Sequence, residues 1–142
     1  IAAGAASFFS APLWGRMADR SSRRVMVYAA SLAAVTGMIT FSVATLTERS
    51  VGLWWFPLAY FLLSIAHAGV RLGRKTHLVD IASADNRASY VAVSNTVIGI
   101  MLLLGGALAG AVAGFGSASA IVILAAVSAL AAWSAAQLDE AQ

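Results

Sequence analysis

The ten residues Gly15-Arg16-Met17-Ala18-Asp19-Arg20-Ser21-Ser22-Arg23-Arg24 hold four of the chain's nine lysines and arginines. On either side lie apolar blocks too long for a small soluble core. A basic connector between two apolar helices reads as a cytoplasmic loop of a membrane protein, because lysine and arginine concentrate on that side of the bilayer.

The composition around the stretch agrees. Of 142 residues, 61% are hydrophobic and 11% charged, whereas soluble domains run at about 45–50% and about 25%. The apolar residues come in long blocks, so the expected class is an all-α membrane protein with the lipid bilayer as its first partner. The net charge of +3 is confined to short connectors. It is a topology signal, and no nucleic-acid partner is expected. With no cysteine, disulfides and thiolate metal sites are excluded. The chain opens at Ile1 inside an apolar run too short to span, with no signal peptide before it. It is therefore expected to be the C-terminal piece of a longer protein, with the N-terminal half as a partner.

About four full transmembrane helices and one truncated helix are expected. Ile1–Trp14 falls short of the roughly 20 residues that cross about 30 Å of hydrocarbon, and Pro12 should kink or stop it. Val25–Leu46 carries no formal charge and would measure about 33 Å as a helix. Its Ala29, Ala33 and Gly37 form a small-residue stripe suited to close packing. Leu53–Val70 opens with Trp54 and Trp55, which suit the lipid–water interface, and holds Pro57 in its first turn or so. Arg71–Ala88 is a second basic connector, with Ser83 and Asp85 as caps for the next helix. In Ser89–Gly114, Gly106, Gly110 and Gly114 recur every fourth residue, a helix-packing run. Phe115–Ser117 is a tight turn into the last span, Ala118–Ala136. Gly15–Arg24 and Arg71–Ala88 carry four lysines and arginines each. The opposite connectors carry Arg49 alone and none. The first pair, and with it the C-terminus, is expected on the cytoplasmic side.

Residues for enzyme chemistry are missing. There is no metal-spaced histidine cluster and no phosphate-binding glycine loop. Gly114-Phe115-Gly116-Ser117 lacks the nucleophile-elbow order and reads as a turn. No enzyme activity and no cofactor or metal is expected. One polar face does stand out. Tyr60, Ser64 and His67 recur at i, i+4 and i+7, continuing to Arg71, on an otherwise apolar helix. Such a face must look at protein or water; it is either the wall of a substrate cavity or a set of interhelical hydrogen bonds. Asn95 shares a face with Gly99, Gly106 and Gly110 and is either helix glue or a substrate contact. No aspartate or glutamate lies within a span, so a proton-coupled protein would need His67 or a carboxylate elsewhere.

The basic stretch resembles motif A of the major facilitator superfamily, Gly-x-x-x-Asp-Arg/Lys-x-Gly-Arg-Arg/Lys, which joins the second and third helices of the family and recurs between the eighth and ninth. Gly15, Asp19, Arg20, Arg23 and Arg24 match. Ser22 stands where glycine is usual, which argues against a positive-φ turn there. The resemblance implies a partial half-bundle of a twelve-helix permease that moves a small-molecule substrate by alternating access. Asp19, Arg20, Arg23 and Arg24 would form a gating latch, the aspartate favoured by a helix N-terminus and the arginines pairing with it and with helix C-terminal carbonyls. The short tail, and the absence of proline from the glycine-rich span, favour the second half. Ile1–Trp14, Leu53–Val70 and Ser89–Gly114 would then line the cavity, in an inner (plasma) membrane. The alternative is a membrane-embedded scaffold or assembly subunit that transports nothing.

Overall fold

The computed structural model describes residues 2–83 and 85–139. Five helices follow one another: α1 (Ala2–Ala18), α2 (Ser22–Leu46), α3 (Arg49–Ile81), α4 (Arg87–Ala113) and α5 (Ser117–Ala136). No strand occurs among the described residues. By length and composition α2, α3, α4 and α5 can each cross a membrane, and α1 is the shorter fifth helix.

The packing is antiparallel around α2. Its small residues let backbones approach, which is how helices associate where lipid leaves no hydrophobic drive between them. A Cβ added to Gly37 would sit 2.8 Å from the Ala125 Cβ, so α2 and α5 touch there. On the other side of α2, Ala29 is fully buried against α3. Gly69 of α3 meets both Trp14 and Ala29, at 2.7 and 2.8 Å from an added Cβ. Gly73, one turn on, meets Met26 at 2.8 Å and the Ser22 carbonyl at 3.1 Å. Trp14, Ala18, Val25 and Ala29 make the buried core of the three-helix junction. The Trp14 indole also donates to the Ile65 carbonyl at 3.1 Å, tying α1 to α3. At the opposite end the Trp55 indole donates to Thr40 Oγ1 at 2.9 Å. Trp14→Phe removes the donor and also part of the buried indole, leaving a small void. Its expected cost exceeds the about 0.6 kcal/mol that interhelical bonds in membranes average, read as a lowered thermal midpoint of the detergent-solubilised protein.

Several boundaries differ from the sequence expectation. Pro12 does not stop α1, which runs on to Ala18. α2 begins at Ser22, not Val25: Ser21 is its N-cap, with extended φ of −168° and a hydroxyl that accepts from the Arg24 amide at 3.1 Å. The largest difference is α3. Its 33 residues would measure about 50 Å, and it begins before Leu53, which places Pro57 two turns inside. It also continues through most of the expected connector Arg71–Ala88. The charges there do not end the helix because its last turns pack on the first turn of α2, through Gly73 and through a 3.2 Å contact between Ser22 Oγ and His77 Nδ1. The cap of α4 is Asn86, not Ser83 or Asp85. The tight turn before α5 is present, and Gly116 takes the only positive φ, 118°, among the described residues. α4 is the outlier. It buries none of its residues, and nothing lies within 4 Å of a Cβ added at Gly99, Gly106 or Gly110. The packing expected of that glycine stripe is therefore not made within the described residues. Gly114 is the cap that ends the helix.

Candidate functional site

The basic stretch folds as a helix end, a turn and a helix start. Gly15 to Ala18 complete α1, and the Asp19, Arg20 and Ser21 amides close it by donating to the Gly15 and Met17 carbonyls. Ser22, Arg23 and Arg24 form the first turn of α2. Ser22 adopts no positive φ. It is buried, and its hydroxyl faces His77. A glycine there would lose that contact. Arg23 reaches across to the C-terminus of α5, where its Nη1 donates to the Leu138 carbonyl at 3.2 Å and to the Ala136 carbonyl at 3.5 Å. A guanidinium on these end carbonyls satisfies acceptors that a helix leaves unpaired and meets the negative end of its dipole. Asp19, Arg20 and Arg24 are exposed. The Asp19 carboxylate pairs with none of the motif arginines. It lies just past the C-terminus of α1, where the helix dipole disfavours an anion.

Above this turn a groove runs between α1 and α3. Tyr60, Ser64 and His67 line one part of it together with Ser7 of α1, a cavity of ≈ 380 Å³. Ser7 also lines the next part, ≈ 300 Å³, with Trp14, Arg71 and Lys75. Volumes of a few hundred Å³ suit a small molecule. The Ser64 hydroxyl donates to the Tyr60 carbonyl of its own helix at 2.8 Å while the residue lines the groove. Tyr60 and His67 are exposed. None of the three bridges to another helix by a hydrogen bond among the described residues. Asn95 is elsewhere. It lines a neighbouring cavity of ≈ 260 Å³ between α3 and α4, with Ser94, Arg74 and Lys75. Lys75 thus borders both spaces.

Sequence reasoning missed Ser7, Lys75 and the Ser22–His77 contact. Lys75 lies one turn beyond Arg71 on the same face, so the periodic stripe was the available signal. Ser7 had none of its own, since it matters only through the helix it faces. Among the described residues, no three His, Asp or Glu side chains gather where they could hold a metal ion.

Membrane-length apolar helices, joined by a basic turn and flanked by a polar groove, define a multi-pass membrane protein. The chain belongs to the major facilitator superfamily, whose sequence model matches residues 1–140. The family is one of membrane transporters that bind small solutes, and it points away from catalysis. No curated protein and no solved structure matches the chain.

Proposed function

We propose that this chain is the C-terminal half of a secondary active permease that carries a small solute across the inner (plasma) membrane by alternating access, with the motif turn and the C-terminus in the cytoplasm. The observation that carries the reading is the groove between α1 and α3. It aligns Ser7, Tyr60, Ser64 and His67 on a bundle otherwise filled by apolar and small residues. Polar groups at membrane depth need water, a ligand or protein against them. The open face of α4 and the unpaired Asp19 suit docking of an N-terminal half, with Asp19 closing a latch against it and Arg23 fixing the end of α5. Asn95 fits a substrate contact better than helix glue, since it faces a cavity. In this scheme the two halves rock around a site near the middle of the bilayer, and the groove opens to one side at a time.

The test needs no known substrate. A cysteine in place of Ser7 in the full-length protein should react with a membrane-impermeant thiol reagent applied to either face of the membrane, in right-side-out and inside-out vesicles. The rival, a non-transporting scaffold, draws support from the open glycine face of α4. It predicts reaction from one face at most, and that result would overturn the permease reading.

A further inference from the structure

We infer that the solute taken by the α1–α3 groove is an organic anion, with a carboxylate or phosphate head and an uncharged body. The inference rests on the permease reading above and adds the charge of its substrate. Tyr60, Ser64, His67, Arg71 and Lys75 follow one another at intervals of four, three, four and four residues. At 100° per residue they stay within about 80° of the helix circumference over about 22 Å. The ladder is graded. Its start offers hydroxyls and an imidazole, and its end offers a guanidinium and an ammonium. Lys75 also borders the adjoining cavity, which adds Arg74 and the neutral Asn95. Among the described residues no carboxylate lines any of these three spaces. Asp19 lies beyond the end of α1 and Asp80 about one and a half turns past Lys75 along α3, both exposed.

The placement on a cavity wall adds to the orientation signal. Basic residues that only set orientation can stand in the loop with their heads in water. Here three of the four from the second basic stretch, Arg71, Arg74 and Lys75, stand within α3 and line cavities there, Arg71 and Lys75 with exposed side chains that an entering solute can reach. A cleft lined by one sign of charge, with apolar walls, focuses its field and raises the local concentration of counter-ions. The guanidinium fork of Arg71 matches a carboxylate or phosphate with two parallel bonds. In the groove a cationic solute meets two like charges, Arg71 and Lys75, with Arg74 on the adjoining cavity and no carboxylate among the described lining residues to offset them.

The experiment reads the charge of the groove directly. The chain has no cysteine of its own. Ser64→Cys, in an otherwise cysteine-free full-length protein in neutral maltoside detergent, is treated with an anionic methanethiosulfonate (sulfonatoethyl) or a cationic one (trimethylammonioethyl). The ratio of the two rates is compared with that at Ser50→Cys, at the exposed start of α3. The ratio at Ser64→Cys should favour the anionic reagent by about tenfold over the reference, the lower end of such focusing. Adding Arg71→Gln and Lys75→Gln should bring it back to the reference value. Lys75→Gln alone, further out on the helix, serves if the double variant does not stay monodisperse, and should lower the ratio part of the way. A ratio equal to the reference, one favouring the cation, or one untouched by these substitutions overturns the anion inference and leaves the permease reading standing. Loss of the preference on adding phosphatidylglycerol assigns the cations to a lipid headgroup and also overturns it. If neither reagent reacts at Ser64→Cys, the groove is closed to water, and the permease reading falls together with the inference.

Discussion

Gly69→Ala should destabilise the protein by about 1–3 kcal/mol, the range for forcing a methyl into a filled core. The added Cβ would lie 2.7 Å from Cε2 of Trp14, 3.0 Å from its Cδ2 and 2.8 Å from the Cβ of Ala29. None of these can step aside cheaply. Trp14 and Ala29 are both buried, and the indole is pinned by its bond to the Ile65 carbonyl. Gly73→Ala should cost less, because its nearest neighbour is the flexible Met26 side chain, although the Ser22 carbonyl limits how far the helices can part. Gly106→Ala is the contrasting case. It meets nothing within 4 Å among the described residues and gains helix propensity of up to about 1 kcal/mol. Thermal midpoints of the three variants in one detergent rank them. A Gly69→Ala protein as stable as the parent would show that α1, α2 and α3 do not meet as described.

Asp19→Asn should leave insertion and stability unchanged and shift the balance between inward-open and outward-open forms. The carboxylate does little for its own turn: it is exposed, unpaired with the motif arginines and at the unfavourable end of α1. Removing the charge therefore leaves the local fold intact, and any large effect must come through a partner gained in one of the two forms. A coupling of about 1–3 kcal/mol, common for such switches, changes the ratio of the forms by about 5–150-fold. The ratio of labelling rates at Ser7→Cys from the two faces of the membrane reports it. An unchanged ratio removes Asp19 from the latch.

Much of the architecture was legible because a bilayer imposes it. Uncharged runs such as Val25–Leu46 must be helical, since lipid offers no partner for backbone amides and carbonyls. The place of the motif turn was legible from its residues, but not its length: Gly15–Arg24 reads as a connector, whereas only residues 19–21 lie between α1 and α2. The extent of α3 was not, because Arg71, Arg74 and Lys75 look like the end of a span. What continues the helix is the first turn of α2, more than forty residues away in sequence. Gly69 and Gly73 were passed over for the same reason. Their role is defined by Trp14, Ala29 and Ser22, and a four-residue spacing on one helix does not say which neighbour it will meet. The polar ladder of Tyr60, Ser64 and His67 was visible as a period. The serine that faces it, and the separation of Asn95 into a different cavity, depend on how helices are placed side by side.

The unbroken run of α3 from Tyr60 to His77 makes it a lever. Pro57, with no amide to give the preceding turn, lies just before that run and marks a natural fulcrum. From Tyr60 to His77 the arm measures about 25 Å, so a tilt of about 10° at the fulcrum end would swing His77 by about 4 Å. A displacement of that size breaks a bond held at 3.2 Å to Ser22. A solute pressing on the upper rungs would thus be felt at the basic turn without any intervening residue having to change its conformation.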